Sequence, residues 1–171
     1  MIKTLLATLA VSLIATPATS AWINDNGVRI YDIDDVSPTH QPLFNSLAKS
    51  GVPVVDGFDW DQCEVNAESY TAGFYIPRFN VIVLCSNSPA PDLLSTLTHE
   101  AVHAVQDCRA GQDNAAMLHA ATQYMIDGLP DSELDLIRDY YPANEHLDEV
   151  EARFLEPYPD HVATQLDTYC F

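Results

Sequence analysis

Apolar residues in the first half of the chain recur at short, strand-like spacing. Val28, Ile30 and Ile33 stand among polar neighbours and predict a strand within 22–33. Ser37-Pro38 reads as an N-cap and first helical residue, before a short face of Leu43, Phe44 and Leu47 that ends at Gly51. Val52–Val55 predicts a second strand, with Pro53 favouring a strand start or a sheet edge. Between Cys63 and Cys85 the pattern predicts a hairpin. One arm runs through Tyr70–Ile76, Pro77-Arg78-Phe79-Asn80 turns the chain, and Val81–Cys85 returns.

After the loop Ser86–Pro91 the period lengthens to that of a helix. Leu93, Leu94, Leu97, Val102 and Val105 predict one helix from Asp92 to about Cys108, with Gly111 at its exit. A second is expected over 113–127, ended by Gly128-Leu129-Pro130, and shorter ones over 131–139, 144–156 and 159–169. Strands first and helices afterwards describe a single α+β domain, expected over residues 22–171.

The N-terminus has a different layout. Met1-Ile2-Lys3, an apolar run from Leu5 to Ala15 and small residues from Pro17 to Ala21 predict a signal peptide over 1–21, cleaved before Trp22. The run is too short for the roughly 20 residues of a transmembrane helix, so no membrane insertion is expected after signal removal. The mature protein is then secreted or periplasmic. Export also gives meaning to the four cysteines, 63, 85, 108 and 170. Two disulfides are expected, and of the three pairings Cys63–Cys85 with Cys108–Cys170 is preferred. No two cysteines have the close spacing of a structural zinc site.

The 25 acidic and 7 basic residues give a formal charge of −18. A surface so negative excludes nucleic acid as a partner. It favours cationic ligands where salt does not screen it, and serves solubility equally well. Oligomeric state is not legible.

The chemistry concentrates at His99-Glu100-Ala101-Val102-His103. Histidines at i and i+4 share one helical face, so both rings can reach one metal ion. Zinc suits two imidazoles and a carboxylate and leaves a position open. Glu100 stands where a carboxylate can take a proton from metal-bound water. Beyond His103, Gln106 and Arg109 occupy the positions of an extended histidine motif, and His119 is the next histidine. A third ligand is better sought in Glu149-Val150-Glu151-Ala152-Arg153-Phe154.

With these two motifs the chain resembles the gluzincin branch of zinc metallopeptidases, in its small, minigluzincin-like form. The resemblance covers about residues 70–155. It implies a zincin-like fold, in which a small mixed sheet with a β-hairpin precedes the HExxH helix and a helical C-terminal part. It implies zinc held by His99, His103 and Glu149, and hydrolysis of a peptide or protein substrate with Glu100 as general base and acid. Ala152 takes the place of the small residue in that family's pattern. Arg153 departs from the acid expected there, so orientation of a histidine falls to another group.

Periodicity alone points elsewhere, because Glu151 shares the apolar side of Leu147, Val150, Phe154 and Leu155 while Glu149 lies opposite. Both glutamates therefore stand as candidates. Tyr75, Tyr124, Tyr140, Tyr141, His146 and His161 are eligible to stabilise charge on a reacting carbonyl, with His146 preferred because it shares the helix of the glutamates. Asp107 can neighbour His103 one turn on. Two alternatives to a peptidase are a non-catalytic secreted binding or structural domain containing zinc, and an amidase acting on cell-wall peptides.

Overall fold

The computed structural model describes residues 22–23, 29–63, 71–87, 93–111 and 119–171. The expected signal peptide lies outside the described residues, as do Tyr70, Ser88–Pro91 and 112–118. Five strands form one sheet in the order β1-β2-β3-β5-β4. They are β1 (Trp22–Ile23), β2 (Arg29–Ile30), β3 (Val54–Asp56), β4 (Gly73–Ile76) and β5 (Val81–Leu84). The single strand expected over 22–33 is thus two short antiparallel ones, with Ile33 in a 3₁₀ turn capped by Asp32. β3 and β5 run parallel, pairing Val54 with Ile82 and Asp56 with Leu84. Val54, Val55, Ile82, Val83 and Leu84 are buried, as apolar residues at a sheet centre should be, while Asp56 at the end of β3 is partly exposed.

The hairpin β4–β5 pairs Gly73 with Leu84 and Ile76 with Val81. Asn80 closes its turn at φ 49°, a left-handed position that asparagine tolerates. Its amide nitrogen donates to Gly51 O at 3.2 Å, tying the turn to the chain just after α1. That helix, α1 (Gln41–Lys49), starts later than expected. Ser37 bonds Thr39 and His40 within a turn instead of capping the helix, and His40 is the cap residue.

The helices that follow are α2 (Leu93–Arg109), α3 (Gln123–Gly128), α4 (Asp131–Tyr140), α5 (His146–Leu155) and α6 (Pro159–Tyr169). The expected helix over 113–127 is shorter within its described part. Residues 119–122 are irregular, and α3 begins only after Thr122, whose hydroxyl caps Met125 N. Residues of α2 from Leu97 to Cys108 are buried throughout, because the sheet covers one side and α5 and α6 cover others. Leu97, Ala101, Val102, Ala104 and Val105 join Leu43, Leu47, Ile82, Ala152, Val162 and Leu166 in the main core.

Two glycines permit close approaches in this layer. A Cβ on Gly73 would lie 2.7 Å from both Val83 O and Thr96 Cγ2, so β4 rests directly on α2. A Cβ on Gly128 would lie 2.6 Å from Phe154 of α5. Cys63 pairs with Cys85 and Cys108 with Cys170, the expected pairing. Cys63 belongs to a 3₁₀ turn rather than a strand, while the second bridge joins the ends of α2 and α6. Two disulfides suit an oxidising, extracytoplasmic compartment. No helix among the described residues is long and apolar enough to cross a membrane.

Candidate metal centre

α2 projects His99 and His103 from successive turns of one face, and α5 crosses it carrying Glu149. The small Ala152, with none of its surface exposed, stands at that packed side of α5. His99 Nε2 lies 3.3 Å from Glu149 Oε2, and His103 Nε2 lies 3.3 Å from Glu149 Oε1. All three side chains are buried, and their donor atoms fall within 4.8 Å of one another. The two rings meet edge to face, with centroids 5.0 Å apart. Glu149 Oε2 is buried with no hydrogen-bond partner. A carboxylate oxygen left so is costly unless something else compensates it.

Two imidazole nitrogens and a carboxylate oxygen are a donor set that zinc accepts. Without a cation the site balances itself as an ion pair. Burial opposes charge on His99, but the Glu149 and Glu156 carboxylates and the charge of Glu100 prevail and raise its pKa to about 9. His103 is raised against the same opposition from burial, by Glu149 and Glu100. Burial pushes Glu149 up, yet the two histidines outweigh it and hold the carboxyl well below the usual range. A metal ion must displace these protons.

The rear nitrogens differ: His103 Nδ1 has a hydrogen bond, and His99 Nδ1 has only an ion-pair approach. Glu156 Oε2 is 3.5 Å from His99 Nδ1, and Glu156 also accepts from the Ser95 hydroxyl. Arg153 in turn reaches Glu156 at 3.4 Å. Behind His103 stands Gln106, with Oε1 2.9 Å from Nδ1. Asp107, the neighbour considered from spacing, turns away and accepts from the Tyr75 hydroxyl at 2.8 Å. Burial and that carboxylate push the Tyr75 phenol above its usual value.

The cluster opens into a cleft of about 580 Å³. Phe74 and Tyr75 of β4 and Tyr141 after α4 form its aromatic walls, and Glu100, Glu145 and Asp148 give it an acidic lining. Burial, with Glu149 nearby, raises the Tyr141 phenol to about 12. Of the hydroxyls eligible from the sequence, Tyr75 and Tyr141 line the cleft. His146, preferred from its helix, is not among the cleft-lining residues, and its Nε2 is 2.9 Å from Tyr141 O. His161 pairs with Gln165, and Tyr124 and Tyr140 are exposed. His119 is outside the metal cluster, its Nδ1 accepting from Ala121 N at 3.3 Å. Glu151 is fully buried, as its apolar side predicts, but it faces Arg109, Gln106 and Ala120 instead of the histidines.

Residues 90–171 match the model of a family described as a domain of unknown function (DUF8637). No curated protein matches the chain. The matched stretch contains α2 and α5, the helices that carry His99, His103 and Glu149. These findings correct the expectation drawn from the gluzincin resemblance. The similarity found is to a family without an assigned activity, and what converges in the structure is a His99/His103/Glu149 cluster, two donors from one helix and one from another. That arrangement is evidence for holding a metal and not for turnover. The peptidase assignment, the proton-shuttling role of Glu100 and the carbonyl-stabilising role of His146 are therefore not retained. The mixed α+β fold, the metal-binding cluster and the disulfides are.

Proposed function

We propose that the chain is an exported, non-catalytic zinc-binding domain whose metal faces an acid-lined cleft. His99, His103 and Glu149 supply the protein ligands, and the remaining position is left for a donor atom of a bound peptide or protein. The observation that carries this reading is the convergence of two buried imidazoles on one buried carboxylate, with all three donor atoms within 4.8 Å of one another. Two disulfides and the leader-like residues 1–21 support export.

Metal analysis of the purified mature protein tests it. One zinc per chain is expected, with Glu149→Ala and His103→Ala each losing it. Absence of zinc after incubation with the ion would refute the reading. The same preparations should leave casein and flexible peptides uncut. Cleavage that vanishes in Glu100→Gln while zinc is retained would overturn the non-catalytic part.

A further inference from the structure

Behind His103, a buried chain of hydrogen bonds determines which ring nitrogen the cleft receives. Gln106, with none of its surface exposed, places Oε1 2.9 Å from His103 Nδ1. An amide can turn either end toward a ring, and the two ends demand opposite tautomers. Here the surroundings remove the choice. Gln106 Nε2 is 2.9 Å from Asp148 O and 3.1 Å from Glu151 Oε2. Both are acceptors, so the NH₂ group must face them and the amide oxygen must face the ring. Nδ1 then has to carry a proton, and it is the Nε2 proton, on the Glu149 side at 3.3 Å, that a metal displaces to take the lone pair beneath it.

The arrangement depends on the Glu151 carboxylate being held in place. Arg109 Nη1 donates to its Oε1 at 2.6 Å and Ala120 N to its Oε2 at 2.7 Å, so three donors including Gln106 fix the carboxylate. Arg109 Nη2 continues to Gln165 Oε1 on α6 at 2.6 Å. An anion so fully engaged cannot also serve a metal, which explains why the more buried glutamate of α5 is not the ligand. We propose that Gln106 and Glu151 are positioning residues, which lock the His103 tautomer and ring plane so that Nε2 is presented to the metal. The consequence for metal affinity rests on the zinc reading above, whereas the tautomer does not.

Two measurements separate these parts. Long-range ¹H–¹⁵N spectra of the metal-free wild type should show a His103 Nδ1 proton slow to exchange with water, because it is donated to the buried Gln106 oxygen while the Nε2 proton faces the open cleft. A His103 with Nδ1 bare, or with a freely exchanging Nδ1 proton, overturns the proposal whatever zinc does. Chelator competition on the zinc-loaded protein reads the consequence. Gln106→Met keeps the volume but removes acceptor and donors, and should weaken zinc about 10–100-fold. Equal affinity in Gln106→Met and wild type, with unchanged circular dichroism, overturns the proposal. If Gln106→Met does not fold, the wild-type spectra decide. If the wild type binds no zinc, the functional reading falls while the spectra still test the tautomer.

Discussion

Glu149 is held by two histidines that share its burial, so its removal should be felt even without metal. Glu149→Gln leaves two imidazoles facing an amide where they faced a carboxylate. Losing one partner of a buried ion pair costs about 3–5 kcal/mol. Urea unfolding of the metal-free variant should show a loss of that order, and a loss below about 1 kcal/mol would mean that the pairing is idle. Tyrosines provide a pH readout. Tyr31 is raised to about 12, first by burial and then by Asp56, and Tyr141 reaches the same value. Because their folded pKa values lie above the ordinary 10, both favour the folded state below pH 10, and that contribution is lost as pH rises through 12. Absorbance at 295 nm should therefore show tyrosines that stay protonated well beyond pH 10 and ionise together with alkaline unfolding. Full ionisation near pH 10 in a folded protein would contradict this.

Among the elements, α2 and α5 were the most legible, because long helical periodicity and the spacing of His99 and His103 belong to one element each. The choice between Glu149 and Glu151 was less so. A helical wheel reports that Glu151 is buried but cannot report its neighbour, and Arg109 and Gln106 are brought to it only by packing of α5 on α2. Gln106 escaped attention because a neutral amide carries no ligand signature, although its place three residues after His103 was the available clue. His146 shows the same limit, since membership of α5 does not fix where a ring points. The expected helix over 113–127 failed at 119–122, where the Thr122 cap starts the helix anew. Gly73 makes a test at this scale. Gly73→Ala puts a methyl group against Val83 O and should lower stability by about 1–3 kcal/mol, distorting the cleft wall at β4. Unchanged thermal stability would show that β4 can shift freely.

At the scale of the whole molecule, charge and covalent bridges matter most. The formal charge of −18 and the acidic cleft predict that a lysine-rich peptide binds the zinc-loaded protein more tightly than its glutamate-rich counterpart. Titration at rising NaCl should narrow the difference as the Debye length falls to about 8 Å near 0.15 M. An unchanged preference would locate it in short contacts. The bridges close loops of different size, with sequence separations of 22 and 62. Chain entropy gives roughly 3 kcal/mol for Cys63–Cys85 and roughly 4 kcal/mol for Cys108–Cys170. Paired cysteine-to-serine variants should lower the urea midpoint in that order, and the reverse order would point to native packing as the larger effect.

The Cys108–Cys170 bridge has a further consequence for the life of the metal site. It begins five residues after His103 and closes around the segment that carries Glu149, so α5 cannot diffuse far from α2 even when the helices part. The carboxylate is kept near the histidines at a high effective concentration, set by the loop and not by the protein's abundance. An ion that leaves thus finds its ligands still assembled. On the zinc reading proposed above, loss and recapture become local events at the cleft.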